Sequence, residues 1–146
     1  MSKKLLVAFF IATAVAIYLL VFAPQGSNSS KEIVSTTANS PDIVVDTPKP
    51  NDVVTSPLVV KGKAKGTWYF EGQFPITLYY GVQNAFVTTN AFALGEWMTE
   101  DYVDFEVIIN FPLPPENDGL LVLEKDNPSD LRELDANLSI PLRFHE

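Results

Sequence analysis

From Asp42 onward, short apolar runs alternate with polar residues, and this two-residue period limits the possible fold more than any other feature of the chain. In the run 105–111, FEVIINF, every second residue is large and apolar, and the runs 76–80 and 138–144 repeat the pattern. Successive side chains of an extended strand point to opposite faces, so each run predicts a strand with one buried face. Pro141 falls on the outward side of its run and indicates an edge strand or a bulge.

The same reading along the rest of the segment predicts eight strands, at 43–46, 58–65, 68–71, 76–80, 85–93, 105–111, 119–124 and 138–144. Only the stretch 128–134 allows a short turn of helix, which Ser129 could cap. Many short strands separated by Pro, Gly, Asn and Asp are typical of an antiparallel β-sandwich. We therefore expect an all-β fold over residues 42–146.

A long apolar segment precedes this domain. Lys3 and Lys4 are followed by Leu5–Ala23, which contains no charged residue. As a helix this segment would be ~28 Å long, close to the hydrocarbon thickness of a bilayer. The sequence predicts an N-terminal signal-anchor over 1–23, a single transmembrane helix. The two lysines place the N-terminus in the cytoplasm and the rest of the chain outside the cell membrane.

A cleaved signal peptide is the alternative interpretation of the same segment. Two features favour the anchor: the apolar run is longer than the core of most signal peptides, and Pro24 would directly follow the cleaved bond. Residues 24–41 are rich in Ser, Thr and Asn and contain few apolar residues. They are too polar to form a core, and we expect a flexible linker.

Four blocks of the domain resemble a known family. They are PLVVKGKAKG from Pro57, GTWYFEGQFPITL from Gly66, GEWMTEDYVDFEV from Gly95 and GLLVLEKDNPSD from Gly119. Their order and spacing resemble the immunoglobulin-like domain of bacterial spore-germination proteins, over about Ile43 to Phe144. The resemblance implies an immunoglobulin-like β-sandwich found in exported bacterial proteins, with no catalytic activity assigned.

The large aromatic residues have two interpretations. One places them in the core, because a domain of this size needs large apolar side chains inside: this set is Trp68, Phe70, Phe74, Trp97 and Phe105. The other makes Trp68, Tyr69 and Trp97 a platform on which sugar rings stack. In a strand, the Tyr69 side chain would point to the opposite face from those of Trp68 and Phe70, so Tyr69 is the better candidate for the surface.

Three lysines, Lys61, Lys63 and Lys65, share one face of the predicted strand 58–65. Side chains on one face lie ~6.6–7 Å apart along a strand, a spacing that suits the repeating anionic groups of an envelope polymer. The alternative is edge protection, since lysines on a strand discourage pairing with other sheets. Both remain candidates, and the candidate ligand site that the sequence offers consists of Tyr69 and these lysines.

Charge and composition exclude several classes of function. The chain has 10 basic and 18 acidic residues, the wrong sign for a nucleic-acid binder, so we expect no nucleic-acid partner. It has no cysteine and one histidine, which disfavours thiol, zinc and triad chemistry. Acidic residues at 96–104 and 124–127 could bind calcium, and Glu71 with Glu100 could form a glycosidase pair. Neither spacing is specific, and we expect no metal, no cofactor and no catalytic residues.

The sequence thus predicts a membrane-anchored, extracytoplasmic, non-catalytic binding or scaffolding module of a bacterial cell envelope. Its expected partners are the membrane, through the N-terminal helix, and an envelope protein or polymer. The alternative is a module that binds carbohydrate or peptidoglycan.

Overall fold

In a computed structural model, residues 41–81, 85–129 and 131–145 of the chain are described. They contain two short 3-10 turns, Gly66–Trp68 and Arg132–Leu134. The rest of the regular structure is seven strands: β1 Ile43–Thr47, β2 Leu58–Lys65, β3 Gln73–Tyr80, β4 Ala85–Ala93, β5 Tyr102–Ile109, β6 Asp118–Glu124 and β7 Asn137–Arg143. The predicted all-β fold of this part of the chain is confirmed.

The predicted anchor (1–23) and linker (24–41, save its last residue) lie outside the described residues. Within the described ranges, no helix has both the length and the apolar character needed to cross a membrane.

Most predicted strands are found within three residues of their expected ends. The exception is the strand predicted at 68–71. Its first residue closes the 3-10 turn Gly66–Trp68, and Phe70 makes only an isolated bridge to Gln73. Glu71 and Gly72 follow with positive φ angles of 51° and 77°, so the backbone turns here and cannot continue a strand.

All strand pairs are antiparallel, in the order β1-β2-β5-β4-β3-β6-β7. The strands form one continuous sheet and not two separate ones, because β4 pairs with β3 along eight residues and with β5 at Phe92 and Ala93. A parallel bridge from Val53 to Arg143 joins the segment after β1 to β7. The sheet therefore curves almost fully round its core.

The alternating sequence determines which face of each strand is buried. In β5, Val103, Phe105, Val107 and Ile109 are buried while the residues between them are exposed. Phe105 packs edge-on against Phe74 of β3, with ring centres 5.1 Å apart, although β4 lies between these strands in the sheet. The apolar faces thus meet across the interior, which excludes water from them.

The predicted core aromatics divide into three groups. Trp68, Phe74 and Phe105 are at most 1% exposed, and Trp97 is half-buried against the core. Phe70 is 41% exposed, so its assignment to the core was wrong. The cause is the turn that replaces the predicted strand, because strand parity does not determine burial outside a strand.

The edge strand predicted from Pro141 is confirmed. Strand β7 is the last in the sheet, and Pro141 lies on its outer face. The segment before β2 covers this edge: the Asn51 N–H donates to the Pro141 carbonyl at 2.7 Å, and the Val54 N–H donates to the Arg143 carbonyl at 2.8 Å. This cover limits pairing with other chains.

The predicted helical turn near 128–134 exists only as the 3-10 turn Arg132–Leu134, and Ser129 does not cap it. Instead, Asn127 organises this loop. Its amide donates to the Leu131 carbonyl at 2.8 Å and to the Asp135 carboxylate at 2.7 Å. Its side-chain oxygen accepts from the Ser129 N–H at 3.3 Å, which is the turn bond typical of Asn.

Candidate functional site

Tyr69, expected on the surface, is instead 4% exposed, so that prediction was wrong. Its hydroxyl donates a hydrogen bond to the Val103 carbonyl at 2.8 Å, and its ring packs on Phe74. The preceding residues form a 3-10 turn, in which side chains do not alternate between two faces. Burial, and then the charge of Asp104, raise the pKa of Tyr69. Both the ring and the hydroxyl are therefore used inside the fold.

The three lysines do share the outer face of β2, but they contact side chains of β5. The Lys61 ammonium lies 3.0 Å from the Glu106 carboxylate. Those of Lys63 and Lys65 lie 5.2 and 4.5 Å from the centre of the Tyr102 ring, within the range of cation–π attraction. Since β1 lies outside β2 in the sheet, edge protection does not account for the lysines, whereas their binding of an envelope polymer stays a prediction. They stabilise the β2–β5 pair.

The acidic residues do not form a metal centre in the described ranges, where no group of three potential ligands comes together. Glu71 and Glu100, the glycosidase candidates, lie on two exposed loops. A surface depression of about 370 Å³ is lined by residues between Thr47 and Val59. Asp52 is its one carboxylate, and it accepts a hydrogen bond from the Lys49 backbone at 2.7 Å. A pair of carboxylates for glycoside hydrolysis is thus not present there.

A surface that the sequence did not indicate lies on the outer side of β4, β3, β6 and β7. Two complete rows of side chains cross these four strands without a charged residue, and we call them the neutral face. In the register of the sheet they are Phe86, Tyr79, Leu120 and Pro141, followed by Thr88, Thr77, Val122 and Ser139. The domain from residue 42 carries 17 acidic and 7 basic residues, so an uncharged area of this extent is distinctive.

Two aromatic rings mark one side of the neutral face. Phe86 is 61% exposed and Tyr79 is 39% exposed, and their ring centres are 5.9 Å apart. In the next row the Thr77 hydroxyl is buried, with Thr77 5% exposed, and shares a 3.0 Å hydrogen bond with the hydroxyl of exposed Thr88. Exposed rings beside the Thr88 hydroxyl can contact an apolar protein surface or stack on a sugar ring.

Sequence reasoning missed this face because each of its strands contributes only two residues to it. The alternating pattern did place Tyr79 and Phe86 on the outward faces of their strands. Their proximity depends on the β3–β4 register, which places Tyr79 opposite Phe86.

Comparison with known families gives the class of the domain. A family model described as the immunoglobulin-like domain of bacterial spore germination matches residues 42–131, a range that ends before β7. The antiparallel all-β domain is therefore of the immunoglobulin-like class. The chain belongs to that spore-germination family, whose description names a domain and no reaction. No curated protein and no solved structure matches the chain.

Proposed function

We propose that the chain is a single-pass membrane protein that holds an immunoglobulin-like, non-catalytic binding module outside the cell membrane of a bacterium. The module binds another envelope protein through the neutral face. The observation that carries this proposal is the contrast between that face, with two exposed aromatic rings, and the acidic remainder of the domain. Family membership and the apolar segment Leu5–Ala23 support it.

The physical reason concerns desolvation. A partner that covers charged side chains must remove their water, which costs free energy unless each charge is paired. The neutral face avoids this cost, and Phe86 and Tyr79 supply apolar area of the kind that anchors protein interfaces.

The membrane topology can be tested with introduced cysteines, because the chain has none of its own. We expect Asn110→Cys, at an exposed position after β5, to react with a membrane-impermeant maleimide in intact protoplasts. Ser2→Cys should react only after lysis. Labelling of Ser2→Cys in intact protoplasts, or none of Asn110→Cys, would refute the proposed orientation.

The binding surface can be tested by photo-crosslinking in cells that make the full chain. A photoreactive phenylalanine at Phe86 should give a discrete protein adduct that is lost in the Tyr79→Ser background. The matched control places the same group at Ile108, which is exposed on the β5 outer face. If position 108 gives the same adduct, or position 86 gives none, the neutral face is not the binding surface.

The second candidate is a carbohydrate- or peptidoglycan-binding module, favoured by the ring pair of Tyr79 and Phe86 beside the exposed Thr88 hydroxyl. In that case the detergent-solubilised full chain should co-sediment with purified cell-wall sacculi. Binding should be lost in Phe86→Ser and retained in Tyr69→Phe, whose ring is inside the core. Absence of co-sedimentation would eliminate this candidate and leave the protein partner.

A further inference from the structure

One end of the domain gathers three connecting loops, which we call the loop end: residues 66–72, residues 94–101, and the described residues 125–129 and 131–136. The loops are bonded to one another through their backbones. The Gly66 N–H donates to the Asp101 carbonyl at 3.1 Å, and the Asp126 N–H donates to the Trp68 carbonyl at 3.1 Å. The chain enters the domain at the same end, where the Lys65 N–H donates to the Asp42 carbonyl. The loop end is thus a single surface with a fixed backbone.

Large apolar side chains are exposed on all three loops. Met98 is 78% exposed and Leu94 is 64% exposed, and the other members are Phe70, Leu131 and Leu134. Beneath them, half-buried Trp97 packs against the core. Single exposed apolar residues are ordinary, but a group of five on adjoining loops marks an interaction surface.

The charges around these side chains have mainly one sign. The described residues of the three loops include two basic side chains, Lys125 and Arg132, and seven acidic ones: Glu71, Glu96, Glu100, Asp101, Asp126, Glu133 and Asp135. Over the part of the chain that the structure describes, the one ion pair is Lys61–Glu106, outside the loop end. The acidic excess is therefore not neutralised from within the domain.

We propose that the loop end binds a protein surface in which lysine or arginine side chains surround an apolar centre. The apolar side chains supply buried area, and the acidic side chains pair with the partner's cations at the rim. Anionic lipid headgroups, nucleic acid and anionic wall polymers are all repelled by this charge. A neutral glycan would leave the carboxylates desolvated and unpaired. This surface is distinct from the neutral face, so the proposal does not depend on the function proposed above.

The test uses the full chain in detergent micelles and an 18-residue amphipathic helical peptide of leucine and lysine as the probe, measured by isothermal titration calorimetry. We expect the Glu96→Gln/Glu100→Gln double variant to weaken peptide binding about tenfold, since paired charges and apolar anchors both contribute at such interfaces. Leu94→Ser/Met98→Ser should weaken it to a similar extent. A leucine and glutamate peptide of the same pattern should not bind.

The matched control, Asp46→Asn/Asp118→Asn, removes the same charge from strands away from the loop end. It should change binding by less than twofold. Equal loss in the control would show that only net charge attracts the peptide and would overturn the proposal. Unchanged binding in Leu94→Ser/Met98→Ser would overturn it as well. A lipid partner is tested with the full chain reconstituted in nanodiscs and vesicles that contain anionic phosphatidylglycerol. If the chain binds these vesicles and Met98→Ser abolishes the binding, the partner is a lipid surface and the proposal is overturned.

Discussion

Phe74 is the centre of the aromatic core, and replacing it with leucine tests whether ring contacts hold the curved sheet together. The ring is fully buried in β3 and meets three other rings edge-on. The centre-to-centre distances are 5.9 Å to Trp68, 5.2 Å to Tyr69 and 5.1 Å to Phe105. Phe74 therefore connects the 3-10 turn, the segment after it and β5.

The expected cost of Phe74→Leu follows from these contacts. Each edge-on ring pair contributes about 0.5–1.5 kcal/mol beyond the area it buries. Leucine keeps most of the apolar volume, and swaps of similar size usually cost less than about 1.5 kcal/mol. Because the three pairs share one ring and do not add fully, we expect the free energy of unfolding to fall by about 2–4 kcal/mol. That is a large part of the stability of an ordinary domain.

The assay is urea unfolding of the full chain in detergent micelles, followed by tryptophan fluorescence, to which Trp68, buried beside the substituted ring, contributes. Phe86→Leu is the matched control, because Phe86 is exposed and has one ring neighbour. We expect the control to change the unfolding free energy by less than about 1 kcal/mol. If the two variants differ by less than about 0.5 kcal/mol, the ring contacts of the core do not carry the stability assigned to them.

Two further substitutions and one double-mutant cycle test other contacts. Tyr69→Phe removes a buried hydrogen bond and should cost about 0.5–1.5 kcal/mol at pH 7. Because folding raises the pKa of Tyr69, the stability that its hydroxyl contributes is complete below pH ~10, the pKa of Tyr in the unfolded chain, and is lost as the pH rises towards its pKa in the folded chain. The difference in unfolding free energy between wild type and Tyr69→Phe, measured in urea melts, should therefore shrink above pH ~10. A constant difference would contradict this. Gly119→Ala would place a methyl group 2.5 Å from the Phe144 ring and should lower the thermal midpoint by several degrees, whereas an unchanged midpoint would mean that the ring moves freely. A double-mutant cycle on Lys61 and Glu106 should give a coupling of at most about 1 kcal/mol, because both side chains are half-exposed, and a larger coupling would contradict that estimate.

The strands could be predicted from the sequence because alternation is a local property. In β5, the apolar residues from Val103 to Ile109 require a buried face whatever the rest of the chain does. Pro141 likewise indicated an edge strand, because proline has no N–H to donate to a neighbouring strand and is therefore rare in central strands. These inferences need no knowledge of which strands are neighbours.

The surface prediction for Tyr69 failed because the backbone before it is not a strand, and the partners of the β2 lysines could not be predicted because they lie far away in the sequence. Tyr69 was placed outside by strand parity, but Gly66–Trp68 is a 3-10 turn, so the parity did not apply. The lysines of β2 were predicted correctly to share a face, yet their partners Tyr102 and Glu106 come from β5, about 40 residues later. The β2–β5 register brings them together, and no pattern within β2 contains that information.

The positions of the two proposed surfaces bear on whether the module is an adaptor or a scaffold. The neutral face lies on the outer side of four strands, and the loop end lies where the strands are connected. Phe86 and Met98 therefore belong to different elements, separated by the end of β4 and the loop that follows it. Two partners on separate surfaces can be held at once, and their binding free energies should then be independent. Scaffolding in this sense requires that the Glu96→Gln/Glu100→Gln variant keeps the crosslink formed from position 86, and that a Phe86→Ser variant keeps the affinity of the loop end for the lysine-containing peptide. Mutual loss would instead indicate one continuous interface that extends round the edge of the sheet, and the module would then be an adaptor for a single partner.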